Sequence, residues 1–393
     1  MTQEHVTTVR LADMPLFKNT RARRTLINLT FEITARCPND CRHCYINLPA
    51  GDREAKRREL SLEEIDAITD EALELGTLWV LLTGGDPLLR KDFADIYLLL
   101  KRKGFLVEVF TAGTLINREH VDLFKQYPPR SLETTVYGVT RETYERVSRK
   151  PGSFDAFMQG LERLWAAGLK VNLKTVALRS NLHEMPAILE FCREHCPEDY
   201  RLDDFLHLRY DGDPKRNEEI KSERLTTEEI IALDKTDPKE LQGWKTMCGS
   251  MIFERKEYGD HRLFKCGAGM DAAVIGYDGV LRPCDSLVHP DFTYDLRRGN
   301  LTDAWINFVP RMWEAEIHKQ EFEETCGTCS LRNICMWCPA RAHLETGELD
   351  AFLPEFCTLT HARVEAFGNG ETAEADQRSP VEVDLVPTPG KEY

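Results

Sequence analysis

Between residues 26 and 210, apolar runs rich in β-branched residues alternate with amphipathic stretches, and this alternation limits the fold more than any other feature. Runs that read as strands cover 26–34, 78–83, 106–111, 132–137, 171–178 and 205–210. Helical periodicity fills the gaps over 62–75, 93–102, 119–127, 154–167 and 184–195. The first of these helices has a marked start, because Ser61 and Glu64 can cap one another ahead of apolar residues spaced by three and four. Strands that alternate with helices pair in parallel, so the expectation is an α/β fold built as a partial (β/α)6 TIM-like barrel. In such folds the chemistry collects at the C-terminal ends of the strands.

The chain leaves the first strand at that end through a loop holding Cys37, Cys41 and Cys44, spaced C-x₃-C-x₂-C. A [4Fe-4S] cluster that only carries electrons takes four protein thiolates, so a loop supplying three leaves one iron open to another ligand. That reads as a reactive site; the structural alternative is a zinc knuckle, which needs a fourth ligand from elsewhere.

Cysteine usage supports metal chemistry. The 393-residue chain is 42% hydrophobic, ordinary for a soluble protein of two or three domains. It has no run of eighteen apolar residues and no basic-then-apolar N-terminus, so neither membrane span nor export is indicated and a cytoplasmic location is expected. Thiols rather than disulfides then follow for its 13 cysteines. Beyond the first loop, Cys248, Cys266, Cys284, Cys326, Cys329, Cys335, Cys338 and Cys357 gather in the last third. Cys192 and Cys196, four apart on a helix, read as small buried residues. A net charge of -15 argues against nucleic-acid binding. The basic run Arg21, Arg23, Arg24 reads as a solvated approach to the first strand or as a contact for an acidic partner.

These patterns divide the chain into an extension over 1–25, the barrel over 26–224, a linker helix over 225–247, a cysteine-rich domain over 248–368 and a polar, disordered tail over 369–393. Thr226 and Glu229 form a second capping box at the linker helix. In the cysteine-rich domain, Asp278-Gly279 supplies the positive-φ turn of a hairpin between 273–277 and 280–283.

The loop Cys37-Pro38-Asn39-Asp40-Cys41-Arg42-His43-Cys44-Tyr45, with Thr83-Gly84-Gly85-Asp86-Pro87 ending the second strand, resembles the radical S-adenosylmethionine superfamily. That superfamily usually has Glu where Asp86 stands. The resemblance implies a [4Fe-4S] cluster on Cys37, Cys41 and Cys44, S-adenosylmethionine on the fourth iron, and reductive cleavage to a 5′-deoxyadenosyl radical that abstracts hydrogen from a substrate. It also implies that Gly84, Gly85 and Asp86 bind the methionyl amino group and that His43 lies near adenine. Thr111-Ala112-Gly113-Thr114 stands where relatives often have Thr-Asn-Gly-Thr. Thr135 reads either as a ribose contact or as a buried strand threonine, and Lys174 and Arg179 are comparable candidates on the fifth strand.

The later cysteines, with Cys266, Gly279 and Cys284 as C-x₁₂-G-x₄-C and Cys326, Cys329, Cys335 and Cys338 as C-x₂-C-x₅-C-x₂-C, resemble the SPASM extension. Two auxiliary [4Fe-4S] clusters are implied, one on Cys266, Cys284 and Cys338, the other on Cys326, Cys329, Cys335 and Cys357. Cys248 is an optional eighth ligand, without which the first auxiliary cluster keeps an open iron. The gap between Cys335 and Cys338 is one residue shorter than usual. A single zinc ion on the two C-x₂-C pairs is the alternative. Asp285 stands where sulfatase-maturing relatives carry a base, and reads otherwise as a turn or capping aspartate.

The segment from Tyr137-Gly138 through Tyr144 to Phe154 also looks like peptide maturases. The resemblance therefore implies modification of a peptide or protein side chain, fed by a reducing donor such as flavodoxin or ferredoxin. Only 36 residues precede Cys37, so a separate leader-binding protein is a further expected partner. Tetrapyrrole side-chain modification is the second enzymatic reading, and a non-catalytic iron-sulfur or zinc scaffold is the reading of another class.

Overall fold

The computed structural model describes residues 23–196, 200–250, 252 and 261–368. Most of the expected extension, including Arg21, and the expected tail over 369–393 lie outside the described residues.

Six strands run in chain order: β1 (Asn28–Thr34), β2 (Trp79–Gly84), β3 (Leu106–Phe110), β4 (Ser131–Thr135), β5 (Asn172–Val176) and β6 (Arg201–Asp203). Each pairs in parallel with the next, as a partial barrel requires. The period of two sorts their side chains. Leu29, Phe31, Val80, Leu82, Val107 and Val109 are buried in the core, while Thr30, Glu32, Leu81 and Thr83 face a cavity inside the barrel.

The crossovers are α1 (Leu62–Glu74), α2 (Phe93–Arg102), α3 (Arg118–Gln126), the consecutive α4 (Arg141–Ser148) and α5 (Ser153–Ala166), and α6 (Met185–His195). Ser61 and Glu64 form the expected capping box, as do Thr226 and Glu229 at α7 (Thr227–Thr236). The linker helix continues as a second helix, α8 (Pro238–Ser250), which runs past residue 247 and packs on α9 (Pro354–Phe367). No helix among the described residues is long and apolar enough to cross a membrane.

Three features depart from the sequence reading. The sixth strand is the three-residue β6, whereas 205–210 is irregular: its amides turn to acceptors outside the sheet, Arg209 to Asn217 Oδ1 and Tyr210 to the Tyr45 carbonyl. The C-terminal hairpin joins the barrel sheet instead of standing apart. Its first strand, β7 (Ala272–Ile275), pairs in parallel with the free edge of β1, Asn28 opposite Ala272, and β8 (Val280–Arg282) and β9 (Tyr294–Asp295) follow antiparallel. Its turn has positive φ at Gly279 alone; the Gly276 carbonyl accepts from Gly279 and the Gly276 amide donates to Val280, a three-residue turn with a bulge. Finally, Arg24 is neither solvated nor free for an acidic partner. Its guanidinium lies 4.7 Å from Trp305 and 4.8 Å from Trp313, tying the start of the barrel to the C-terminal segment.

Candidate active site

The three-cysteine loop is built by backbone as much as by side chains. Arg36 and Cys37 pair in a short parallel ladder with Leu48 and Pro49, which closes the loop at its base. Cys44 donates its amide to the Cys41 carbonyl at 3.2 Å, and the Asn47 amide points at Cys44 Sγ at 3.3 Å. Two guanidinium groups hold the loop from below, Arg216 on the Cys41 carbonyl at 2.9 Å and Arg209 on that of Asn47 at 3.2 Å. Burial pushes the thiols of Cys37 and Cys41 up; Asp86 and then the other two cysteines of the loop add to it at Cys37, and Cys44 at Cys41. Three clustered thiols, two of them buried, are the donor set expected of soft cation ligands, which lose their protons as the cation arrives.

Gly84 and Gly85 press the end of β2 against this loop. A Cβ on Gly84 would stand 2.0 Å from the Thr34 carbonyl oxygen, and one on Gly85 2.4 Å from that of Arg36. Backbone contact with the loop is thus sufficient reason for both glycines, beside any approach to a ligand. Asp86 turns its side chain toward the end of β3. Its fully buried carboxylate accepts from Leu88 N at 3.0 Å, Thr111 Oγ1 at 3.0 Å and Ala112 N at 3.3 Å, outside the cavity wall. Burial raises its pKa to about 6 against these bonds. Its evident work is to fix the end of β3, whose Thr111 and Ala112 do line the cavity.

The cavity has a volume of about 630 Å³. His43 lies on its wall, its ring 5.2 Å from that of Tyr137, with Nδ1 buried and without a partner. Burial, and then Lys174, lower its pKa to about 4, so the imidazole is neutral. Asn39, 3% exposed on the same wall, has neither amide atom bonded. Unpaired buried polar atoms are uncommon in proteins, and here they ring a space next to three thiols, as expected of groups whose partner is a bound cofactor. Thr135 also faces this space, and Lys174 pairs with Glu133 at 3.2 Å on its wall. Arg179 lies outside it, paired with Glu229.

The later cysteines fall into two groups. Burial raises Cys284 to about 12, with Cys338 adding to the effect, and Cys338 in turn is raised by burial and by Cys266. Separately, Cys326, Cys329, Cys335 and Cys357 ring a cavity of about 200 Å³. Among the described residues no three His, Cys, Asp or Glu side chains are placed to hold a single metal ion, while four thiols around a cavity provide the ligand number of a cluster. Cys248 joins neither group: its thiol faces the Arg363 carbonyl at 3.9 Å within a core of Trp244, Leu331, Ile334 and Phe367. Apolar packing and a backbone acceptor account for it without a metal. Cys192 and Cys196 are buried in the main core.

Asp285 follows Cys284 directly and opens onto the same cavity as the first loop. Burial raises its pKa while Arg282 and Lys174 pull it back. The sequence reading missed Glu32 and Arg282, which pair at 2.7 Å with side chains 4% and 9% exposed between that loop and Asp285. An acid inside the apolar run Leu29 to Ile33 was the available signal.

Residues 31–192 match the family model of the radical SAM superfamily. The Fe-coproporphyrin III synthase of Methanosarcina barkeri is 32% identical over 201 residues, 51% of this chain and 48% of that enzyme, so the match spans about half the relative's length. The PqqA peptide cyclase of Granulibacter bethesdensis is 28% identical over 345 residues, covering 86% of this chain and 88% of the relative. Among solved structures, Streptococcus suis SuiB bound to precursor peptide SuiA superposes with a TM-score of 0.63 at 14% identity, covering 90% of this chain and 84% of that one. At that identity the likeness concerns the fold.

Proposed function

On the premise that this chain carries a radical SAM domain over residues 31–192, we propose that it is a radical S-adenosylmethionine enzyme that takes a hydrogen atom from a peptide or protein side chain. Cys37, Cys41 and Cys44 would hold the [4Fe-4S] cluster, with the backbone at Gly84 and Gly85, His43 and Thr135 around S-adenosylmethionine. When bound, these cofactors supply the radical, and the protein's part is orientation and the exclusion of side reactions. Neutral His43 and the unpaired Asn39 amide offer hydrogen bonds without adding charge. Asp285, in its ionised form, would accept the proton that leaves the substrate after the hydrogen atom, and an auxiliary cluster would supply the acceptor for the one electron released with it. Cys266, Cys284 and Cys338, and separately Cys326, Cys329, Cys335 and Cys357, would hold two auxiliary clusters. A flavodoxin- or ferredoxin-like donor and a separate leader-binding protein complete the reading.

The observation that carries it is one cavity reached both by the three-cysteine loop and by Asp285. Its wall also bears on substrate class. Among the described residues, seven acidic ones line it against four basic ones, and of the four, Lys174 and Arg201 pair with Glu133 while Arg363 pairs with Asp204 and Asp234. A substrate with several carboxylates would meet like charge, whereas a peptide side chain need not. The peptide named in the cyclase relative and the precursor peptide bound to SuiB support the same choice. The second reading, tetrapyrrole side-chain modification, draws its support from the relative named for Fe-coproporphyrin III.

Anaerobic reconstitution tests both. About twelve irons per chain, with reductive cleavage of S-adenosylmethionine, are expected for three [4Fe-4S] clusters. Incubation with a peptide encoded beside this gene, or with coproporphyrin, then separates the readings: loss of two hydrogens from the peptide supports the first, and a mass change on the tetrapyrrole overturns it. Intact S-adenosylmethionine under strong reductant overturns both.

A further inference from the structure

Tyr137 and Tyr144 stand against the three-cysteine loop, whose Asp40 and Arg42 amides donate to the Ser148 and Val147 carbonyls at the end of α4, the helix that carries Tyr144. The Tyr137 hydroxyl, on the cavity wall, donates a hydrogen bond to Cys41. Tyr144 is fully buried, its hydroxyl has no partner, and the ionisable groups around it are Cys41, Cys37 and Asp86. The two rings lie 5.5 Å apart, and Tyr144 stacks on Phe157 at 4.9 Å.

Both phenols are held rigidly. A Cβ on Gly138 would stand 2.7 Å from the Tyr144 amide nitrogen, so this glycine lets the end of β4 press on the first turn of α4. Glu184 fixes the same turn by accepting from Val139 N at 2.9 Å and from Thr143 Oγ1 at 2.6 Å. A phenol held unpaired in the core is costly, and one buried behind a loop of three thiols has a suitable acceptor in a thiolate or sulfide sulfur.

We propose that Tyr137 and Tyr144 are positioning residues that donate hydrogen bonds to the sulfurs of the cluster held by Cys37, Cys41 and Cys44, and so raise its reduction potential. The inference rests on the cluster assignment made above. Reduction adds negative charge to the cluster, and donors aimed at its sulfurs stabilise that charge. Asn39 has no protein partner either, but its place on the open wall suits a ligand, whereas Tyr144 is closed off behind the loop.

The test is a redox titration of the reconstituted full-length protein, followed by the electron paramagnetic resonance signal of the S-adenosylmethionine-binding cluster, with Tyr137→Phe, Tyr144→Phe and the double variant. Each single variant is expected to shift the one-electron reduction about tenfold toward the oxidised cluster, equivalent to 59 mV, with iron content and melting temperature near wild type. In wild type, transfer to heavy water should move the Fe–S stretching bands in the Raman spectrum, and this shift should shrink in both variants. If Tyr144→Phe loads less iron, Tyr137→Phe and the wild-type isotope shift still decide the matter. Unchanged potentials and isotope shifts in fully loaded variants overturn the inference and leave the cluster assignment standing. A wild-type chain that takes up no cluster overturns both.

Discussion

Burial and charge act on single side chains in ways that activity can report. Asp285 has its pKa raised by burial, so protonation removes the proposed base at a higher pH than for an exposed aspartate. Product formation is expected to fall as pH drops through that raised value, and Asp285→Asn to lower it by about 10²–10⁴-fold while S-adenosylmethionine cleavage persists. Mass spectrometry of the product beside assay of 5′-deoxyadenosine separates the two. Asp86 makes a different prediction, because its three donors belong to the protein. Asp86→Ala strands them and should cost about 1–3 kcal/mol for each group left unsatisfied, read from urea midpoints. The pH dependence follows from the sign of the shift. With a folded pKa raised from 3.8 to about 6, this group's contribution is fully present below the unfolded value and is lost as pH rises toward and through 6. The motif Thr83 to Pro87 is legible in the sequence; the direction of the Asp86 carboxylate is not, since its partner Thr111 ends the next strand.

At the scale of elements, glycines do two different jobs, and substitutions should tell them apart. Gly279 takes φ 82°, and an added Cβ there would lie 3.2 Å from Leu60 Cδ2, the movable end of a side chain. Gly279→Ala is therefore expected to cost about 1–2 kcal/mol, the left-handed penalty, and to leave the hairpin formed. Gly84→Ala collides with the Thr34 carbonyl backbone and should abolish loading of the cluster proposed at Cys37, Cys41 and Cys44, measured as iron content after reconstitution. Strand and helix order was readable because period two and period 3.6 differ over five or more residues. The sixth strand was misplaced for the same reason: Arg201–Asp203 is too short to show alternation, while 205–210 shows it and spends its amides on Asn217 and Tyr45.

Across the whole molecule, Arg363 on α9 joins elements far apart in sequence. It reaches Asp204, just past β6, bonds Asp234 on α7 at 2.9 Å, and lies 3.8 Å over the ring of Trp244 on α8. Arg363→Leu leaves Asp234 buried without its partner, at an expected cost of about 3–5 kcal/mol near neutral pH. The loss should narrow in acid, where Asp234 takes up a proton, and denaturant unfolding at two pH values checks this. Neither this link nor the pairing of β7 with β1 has a local sequence signal, because the first joins residues 129 apart and the second joins Asn28 to Ala272. That pairing bears on how the protein is made. As the chain leaves the ribosome, β1 gains one neighbour early from β2, but its other edge waits for residues 272–275. Until then the strand that leads into the three-cysteine loop has an open edge, exposed to other nascent chains. A product broken off before the hairpin should therefore aggregate rather than mature.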